Sequence, residues 1–151
     1  MGLMEQLSER ISNKIPTVAA RAIQPTFTWE TVVGYLAHCA DNQAGGPIGI
    51  MYYRLPSADQ IDSITPVKDY LTENLALDIK GVDMYVTLTT TGEYKYSSEN
   101  DVLLWNAIGH SEFKLDDDER VLEPGDLIYI PAGLKYEYKP TTARAYIVFA
   151  L

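Results

Sequence analysis

The side chains able to do acid–base, nucleophilic or metal chemistry are few in this chain, and they are scattered. There are two histidines, His38 and His110, and one cysteine, Cys39. An iron, manganese or zinc centre built on imidazole or thiolate needs several such ligands within reach of one another, and no histidine lies between residues 39 and 109. His38 falls in an expected helix and His110 in an expected turn, where both read as surface residues. Cys39 lies on the apolar side of the same helix and reads as a core thiol rather than a nucleophile. No serine sits in a nucleophile-elbow pattern, and histidines so placed suit a Ser-His-Asp arrangement poorly. Gly45-Gly46-Pro47 lacks the Lys-Ser/Thr that completes a phosphate-binding loop. Asp116, Asp117, Asp118 and Glu119 read as a solvated hairpin tip, and Glu93, Glu99 and Asp101 as scattered solvated carboxylates. Tyrosine is abundant instead, with 11 in the chain. Tyr94 and Tyr96 are two apart, as are Tyr136 and Tyr138, so each pair shares one face of its strand. A buried phenol needs a hydrogen-bond partner. Such faces either fill a cavity by bonding to one another or line a pocket for a small polar or aromatic ligand.

Composition narrows the setting. The 151 residues fit one domain and allow about 70% of the unfolded chain's surface to be buried. Apolar content of 46% and charged content of 22% are those of an ordinary soluble globular protein. A formal net charge of −9 repels phosphate backbones and anionic lipid, so neither nucleic acid nor membrane is an expected partner. A single cysteine excludes an intrachain disulfide. The N-terminal Met-Gly-Leu-Met-Glu-Gln has no basic stretch followed by an apolar one, and Gln6 stands where a myristoylation signal wants Ser or Thr. No apolar run approaches the ~20 residues of a membrane span. The expected location is cytoplasmic.

The elements that must position these residues divide the chain by period. Met4, Leu7, Ile11 and Ile15 have helical spacing, with Pro16 as the stop. Thr28 can cap a second helix whose apolar stripe is Trp29, Val32, Val33, Leu36, Cys39 and Ala40. Asp41 to Pro47 breaks the chain, and Ile48 to Tyr53 reads as a strand. Thr65-Pro66 opens a third helix with Val67, Tyr70 and Leu71 on its apolar face. From residue 82 the period falls to two: Val82, Met84, Val86 and Leu88 alternate with Asp83, Tyr85, Thr87 and Thr89. Further strands are expected at Glu93–Tyr96, Val102–Ile108, Ser111–Leu115, Asp126–Ile130, Lys135–Tyr138 and Arg144–Phe149. Turns at Thr91-Gly92, Gly109, Pro124-Gly125, Ala132-Gly133 and Pro140-Thr141 separate them. Short strands at this spacing indicate an antiparallel sandwich or barrel, with the helices packed on one sheet. The expected organisation is an N-terminal helix and link over 1–25 and the β domain over 26–151, in one structural unit.

The most informative stretch is Leu122-Glu-Pro-Gly-Asp-Leu-Ile-Tyr-Ile-Pro-Ala-Gly-Leu-Lys-Tyr136. It resembles the second cupin motif, Pro-Gly-Asp, an apolar strand, then Pro-x-Gly-x-x-His. Phe27-Thr-Trp-Glu-Thr-Val-Val-Gly-Tyr-Leu36 is similar to the entry helix of the JmjC and cupin-like hydroxylases. Asn100 to Phe113 is similar to their strand pair after the first metal motif. The resemblance, over residues 26 to 150, implies a mainly β fold: the double-stranded β-helix, or cupin/jelly-roll barrel, with N-terminal helices.

That branch holds Fe(II) with His-x-Asp/Glu on one strand and His on a later one, leaving positions for 2-oxoglutarate and oxygen. Aligned on the resemblance, the later His falls on Tyr136 and the His-x-Asp on Tyr96 and Ser98. The cosubstrate lysine falls near Ser111, with Lys114 the nearest lysine. The expectation is therefore a degenerate site with no metal and no cofactor. Its ligand-pocket candidates are Tyr94, Tyr96, Ser98, Trp105, Ser111, Tyr136 and Tyr138, with no catalytic residue assigned. The expected role is non-catalytic, in small-ligand binding or assembly. The alternatives are a metal oxygenase with relocated ligands and a metal-independent isomerase or lyase using the tyrosines. A homodimer through a sheet edge or the Met4–Ile15 helix is a further expectation.

Overall fold

The structure, a computed structural model, describes residues 2–90 and 94–151, with Tyr96 described in its backbone only. Three helices precede the main run of strands: α1 (Leu3–Ser12), α2 (Trp29–Asp41) and α3 (Thr65–Leu75). Interleaved with them are β1 (Thr17–Ala19), β2 (Gly46–Gly49) and β3 (Tyr52–Leu55). Eight strands follow: β4 (Gly81–Thr87), β5 (Tyr94–Ser97), β6 (Val102–Ile108), β7 (Ser111–Leu115), β8 (Asp118–Leu122), β9 (Leu127–Ile130), β10 (Lys135–Pro140) and β11 (Arg144–Ala150).

The strands form two antiparallel sheets. The larger runs β1-β9-β6-β11-β4-β3-β2 and the smaller β5-β10-β7-β8. From β4 to β11 the chain crosses between them at every step except the β7–β8 hairpin, so the order β4-β11-β6-β9 in one sheet faces β5-β10-β7-β8 in the other. The chain thus winds as a double-stranded β-helix, the mainly β architecture expected from the sequence, with its interior between the two sheets.

Two cores result, one on each face of the larger sheet. Leu103, Trp105 and Ala107 of β6, Ala145, Ile147 and Phe149 of β11, and Val82, Met84 and Val86 of β4 pack against the helices. Leu7 and Ile11 of α1, Val32, Tyr35 and Cys39 of α2, and Leu71 and Leu75 of α3 complete that core. The alternate residues Val102 and Leu104 of β6 and Tyr146 of β11 face the barrel interior, with Phe113, Leu115, Leu122, Ile128, Ile130, Tyr136 and Tyr138. A strand buried on both faces shows no polar alternation. This is why Val102 to Asn106 and Leu127 to Ile130 are buried at every position.

Several local expectations shift. The first helix ends at Ser12, and Ile15 is exposed beyond it. On α2 the buried stripe uses Tyr35, whereas Val33 points to solvent. Ile48 to Tyr53 is not one strand but the hairpin of β2 and β3, with Ile50 and Met51 exposed at its tip. Tyr70 and Leu88 are exposed rather than core. The strands β1 and β8 carry too few apolar residues to announce themselves: β8 is Asp-Glu-Arg-Val-Leu and buries only Leu122. The acidic run spans the β7–β8 turn, and the expected Thr91-Gly92 turn lies outside the described residues.

The motif-like stretch from Leu122 to Tyr136 is held by backbone geometry. Gly125, at φ +100°, donates its N–H to Asn106 O at 2.8 Å, and a Cβ there would meet the Gln24 amide. Asp126 caps this turn, accepting the N–H of Glu123 and of Arg21, both at 2.9 Å. Gly133, at φ +81°, donates to Ser98 O at 2.8 Å, which ties the start of β10 to the end of β5.

Asp101 fastens the N-terminal segment to the barrel. Its carboxylate accepts from Tyr129 Oη and the Ala132 N–H, both at 2.8 Å, and pairs with Lys14. Burial alone would raise this carboxyl's pKa, but the bonds from Lys14, Ala132 and Tyr129 outweigh it and hold it below the usual value. A depressed folded-state pKa stabilises the fold above the unfolded value, and that stability is lost as pH falls through the folded one. Asp101→Ala is expected to cost on the order of 1–3 kcal/mol in urea unfolding at pH 7. The gap to wild type is expected to close as pH drops below about 4; a gap unchanged down to pH 2 contradicts this assignment.

Candidate functional site

The two tyrosine pairs come together as neighbours on the smaller sheet. In the β5–β10 ladder Tyr136 stands opposite Tyr96 and Tyr138 opposite Tyr94. Along β10 the inward residues are Tyr136, Tyr138 and Pro140, all buried, while Lys135 and Lys139 are exposed. Tyr94 is half-buried, its ring 5.2 Å from that of Tyr138 and 4.8 Å from that of Tyr52. The Tyr136 ring is 6.0 Å from Phe113. Ser98 is half-buried just past β5, its Oγ accepting the Asn100 N–H at 3.3 Å. Ser111 is fully buried at the start of β7, opposite Pro140. The side chain of Tyr96 lies outside the described residues.

Trp105 is not among them. It packs on the helix side of the larger sheet, donating Nε1–H to Ile23 O at 2.8 Å and meeting Phe27 edge-on at 5.8 Å. Both faces of β6 are apolar, so the sequence fixes no phase for that strand; the odd-numbered set turned toward the helices.

The donors at the positions of an iron site do not fit one. Tyr136, Tyr96 and Ser98 offer phenols and an alcohol, and a phenol of pKa about 10 stays protonated at neutral pH. No group of three or more His, Cys, Asp or Glu able to hold a metal occurs among the described residues. His38 is exposed, and half-buried His110 sits in the β6–β7 turn. Lys114 points outward from β7 toward Glu119 at 3.6 Å. Asp101 is committed to Lys14, Tyr129 and Ala132.

The barrel interior is organised instead around residues that pattern reading passed over. The hydroxyls of Tyr52, Tyr138 and Tyr146 form a closed buried triangle: Tyr52 to Tyr146 at 2.5 Å, Tyr138 to Tyr146 at 3.0 Å, and Tyr138 donating to Tyr52. The three contacts allow each hydroxyl to donate to one neighbour and accept from the other. Beside them lies Arg144, fully buried on β11. Its guanidinium carbon is 4.4 Å from the Tyr138 ring centroid and 4.2 Å from that of Tyr146. Nε, Nη1 and Nη2 have no hydrogen-bond partner among the described residues, nor do Thr87 Oγ1, Asn106 Oδ1 or Ser111 Oγ. The cation–π contacts stabilise a desolvated guanidinium by about 2 kcal/mol. That falls short of the several kcal/mol that burying an ion costs. Burial accordingly lowers the Arg144 pKa, against an opposing pull from Tyr146, Tyr138, Tyr52 and Tyr136. The signal for Arg144 was its place in the apolar strand Arg-Ala-Tyr-Ile-Val-Phe-Ala, where alternation sets it on the same face as Tyr146.

No family model matches the sequence, and no curated protein matches it. Solved structures match its fold. The ribosomal oxygenase YcfD of Escherichia coli, in complex with cobalt and succinic acid, has a TM-score of 0.73 at 15% identity over 96% of this chain and 51% of its own. A second structure of E. coli YcfD gives 0.74 at 16% identity, over 97% and 52%. An RmlC-like cupin from Shewanella frigidimarina NCIMB 400 gives 0.50 at 13% identity, over 70% and 81%. The chain spans about half the length of the YcfD chains it matches. The fold it shares with them is the cupin double-stranded β-helix, in the form of the JmjC-like oxygenases.

Burial raises the Tyr146 pKa well above its ordinary value, helped by Tyr52 and Tyr138 and opposed by Arg144. A raised folded-state pKa stabilises the fold below the unfolded value near 10, and that stability is lost at higher pH. Tyr146→Phe is expected to lose about 1–3 kcal/mol at pH 8, because Tyr52 and Tyr138 each lose a buried partner. It is also expected to lose less stability than wild type between pH 10 and 11.5. Parallel alkaline profiles in chemical unfolding contradict the buried triangle.

Proposed function

We propose that this chain is a metal-free, non-catalytic cupin-like domain that binds a small ligand inside its barrel. One observation carries the reading: the interior is built around a tyrosine hydroxyl triangle and a buried arginine, with phenols at the metal positions implied by the resemblance. Tyrosine hydroxyls and aromatic faces suit recognition, giving hydrogen bonds and stacking on a rigid frame. They supply neither the open coordination positions that an oxygenase needs nor a base poised near neutral pH.

YcfD has been determined with cobalt and 2-oxoglutarate. For this chain we assign the shared barrel to binding rather than oxidation, acting in the cytoplasm either alone or as a homodimer. Its pocket residues are Tyr94, Tyr96, Ser98, Ser111, Tyr136 and Tyr138, joined by Tyr52, Tyr146 and Arg144.

Protein expressed with iron, manganese, nickel and zinc in the medium, then purified without chelator, is expected to carry each metal far below one per chain by plasma mass spectrometry. A thermal-shift screen of small acids, sugars and aromatics is expected to return at least one saturable stabiliser. Stoichiometric metal overturns the metal-free assignment and restores an oxygenase with relocated ligands. A flat screen, with metal absent, overturns the ligand-binding role in favour of assembly.

A further inference from the structure

Among the described residues, nine large apolar side chains are left exposed, and four of them gather in one place. Ile48, Ile50 and Met51 occupy the tip of the β2–β3 hairpin, at 49%, 86% and 46% exposure. Leu88, just past β4, donates its N–H to Met51 O at 2.8 Å, which sets it beside the tip. The other five lie on α1 and the link after it, α2, α3 and β8.

The tip is unlike a turn that only meets water. Such turns favour Gly, Asn or Asp, above all where φ is positive. Here Met51 stands at φ +56°, preceded by Ile50. The surroundings carry no charge: residues 42–53 have none, and neither do residues 84–90 apart in sequence but paired beside them. At the hairpin's base Arg54 is paired with Asp83 at 2.9 Å. The acidic excess behind the net charge of −9 therefore lies elsewhere on the chain.

The backbone at this edge is blunted. β2 ends the larger sheet. Pro47 has no N–H to give, and the register shifts between Pro47 and Gly49. Both features oppose the addition of a further strand. What the tip offers a partner is apolar side chains, not a hydrogen-bonded ladder.

We propose that this tip is a contact between two copies of this chain. Ile50 and Met51 of each pack on those of the other about a two-fold axis, with Ile48 and Leu88 around them. Symmetry and charge select a second copy as the occupant. A two-fold interface sets the same surface on both sides, so that surface must complement itself. An uncharged apolar knob meets the condition. Two chains of net charge −9 repel each other, and they approach most easily where neither brings a charge. A lipid surface also takes an apolar tip, but residues 42–53 and 84–90 hold no Lys or Arg to anchor it there. The contact is small, so the dimer is weak and reversible. It forms whether or not the barrel holds a ligand.

The test is sedimentation equilibrium of the full chain from about 5 µM to about 500 µM. Wild type is expected to pass reversibly from monomer to dimer, and to do so at lower concentration in high salt, which screens the like charges. Ile50→Asp is expected to keep its circular dichroism, because the side chain is 86% exposed, and to weaken dimerisation on the order of tenfold or more. Val121→Asp, on exposed β8, adds the same charge and is expected to leave the equilibrium unchanged. Ile50→Cys is expected to form a disulfide-linked dimer on mild oxidation, whereas Val121→Cys is not; the native Cys39 is buried and does not compete.

A wild type that stays monomeric at every concentration overturns the proposal. So does a dimer that survives Ile50→Asp, or one that Val121→Asp weakens equally. A monomeric wild type that sediments with phosphatidylcholine vesicles, and loses this in Ile50→Asp, replaces the second copy with a lipid surface. None of these outcomes bears on the metal content or the ligand screen.

Discussion

Arg144 lies between two β-sheets with its charge out of reach of water, and the barrel interior is arranged around it. Burying a guanidinium costs several kcal/mol unless its charge and its five donors are met. The rings of Tyr138 and Tyr146 meet part of that cost. Their hydroxyls cannot also serve the arginine without leaving the triangle with Tyr52, where each already has its partner. Among the described residues, the polar interior is satisfied on the tyrosine side and unsatisfied on the arginine side. This imbalance, more than the absence of histidine, separates the barrel from a packed structural core.

The topology explains how such a cluster is assembled from distant positions. Tyr52 comes from the hairpin before the barrel, Tyr138 from the smaller sheet, and Tyr146 and Arg144 from the larger. Because the chain passes from one sheet to the other between β4 and β7 and again between β8 and β11, residues far apart in sequence face each other across the interior. The same winding places β5 beside β10, so that Tyr136 and Tyr96 are cross-strand neighbours. In this fold the place where metal ligands from two motifs converge is set by backbone pairing alone. At the positions the resemblance gives for two of those ligands, this chain carries Tyr136 and Tyr96.

Much of the fold was legible because local chemistry and global topology agree at particular residues. Pro124-Gly125-Asp126 encodes its own turn, with Gly125 at positive φ and Asp126 capping it. Val82, Met84 and Val86 gave both the period and the correct buried face. Strands buried on two sides give the period no purchase, and Trp105, a pocket candidate on sequence, packs toward the helices instead. Strands β1 and β8 exist through pairing rather than composition. The tyrosine-rich site was half legible. The spacing of Tyr136 and Tyr138 pointed to it, but Tyr52, Tyr146, Thr87, Asn106 and Arg144 joined it only through tertiary pairing. Arginine at a strand end reads as a surface residue until the strand's neighbours are known.

Tyrosine hydroxyls and a buried arginine line the barrel interior, and Tyr136 stands where the resemblance implies a metal ligand. Crystals grown with excess Fe(II) under anaerobic conditions, with anomalous data collected at the iron edge, test this most directly. The expected map has no anomalous peak between Tyr136, Tyr96 and Ser98. An iron peak bonded to Tyr136 contradicts it.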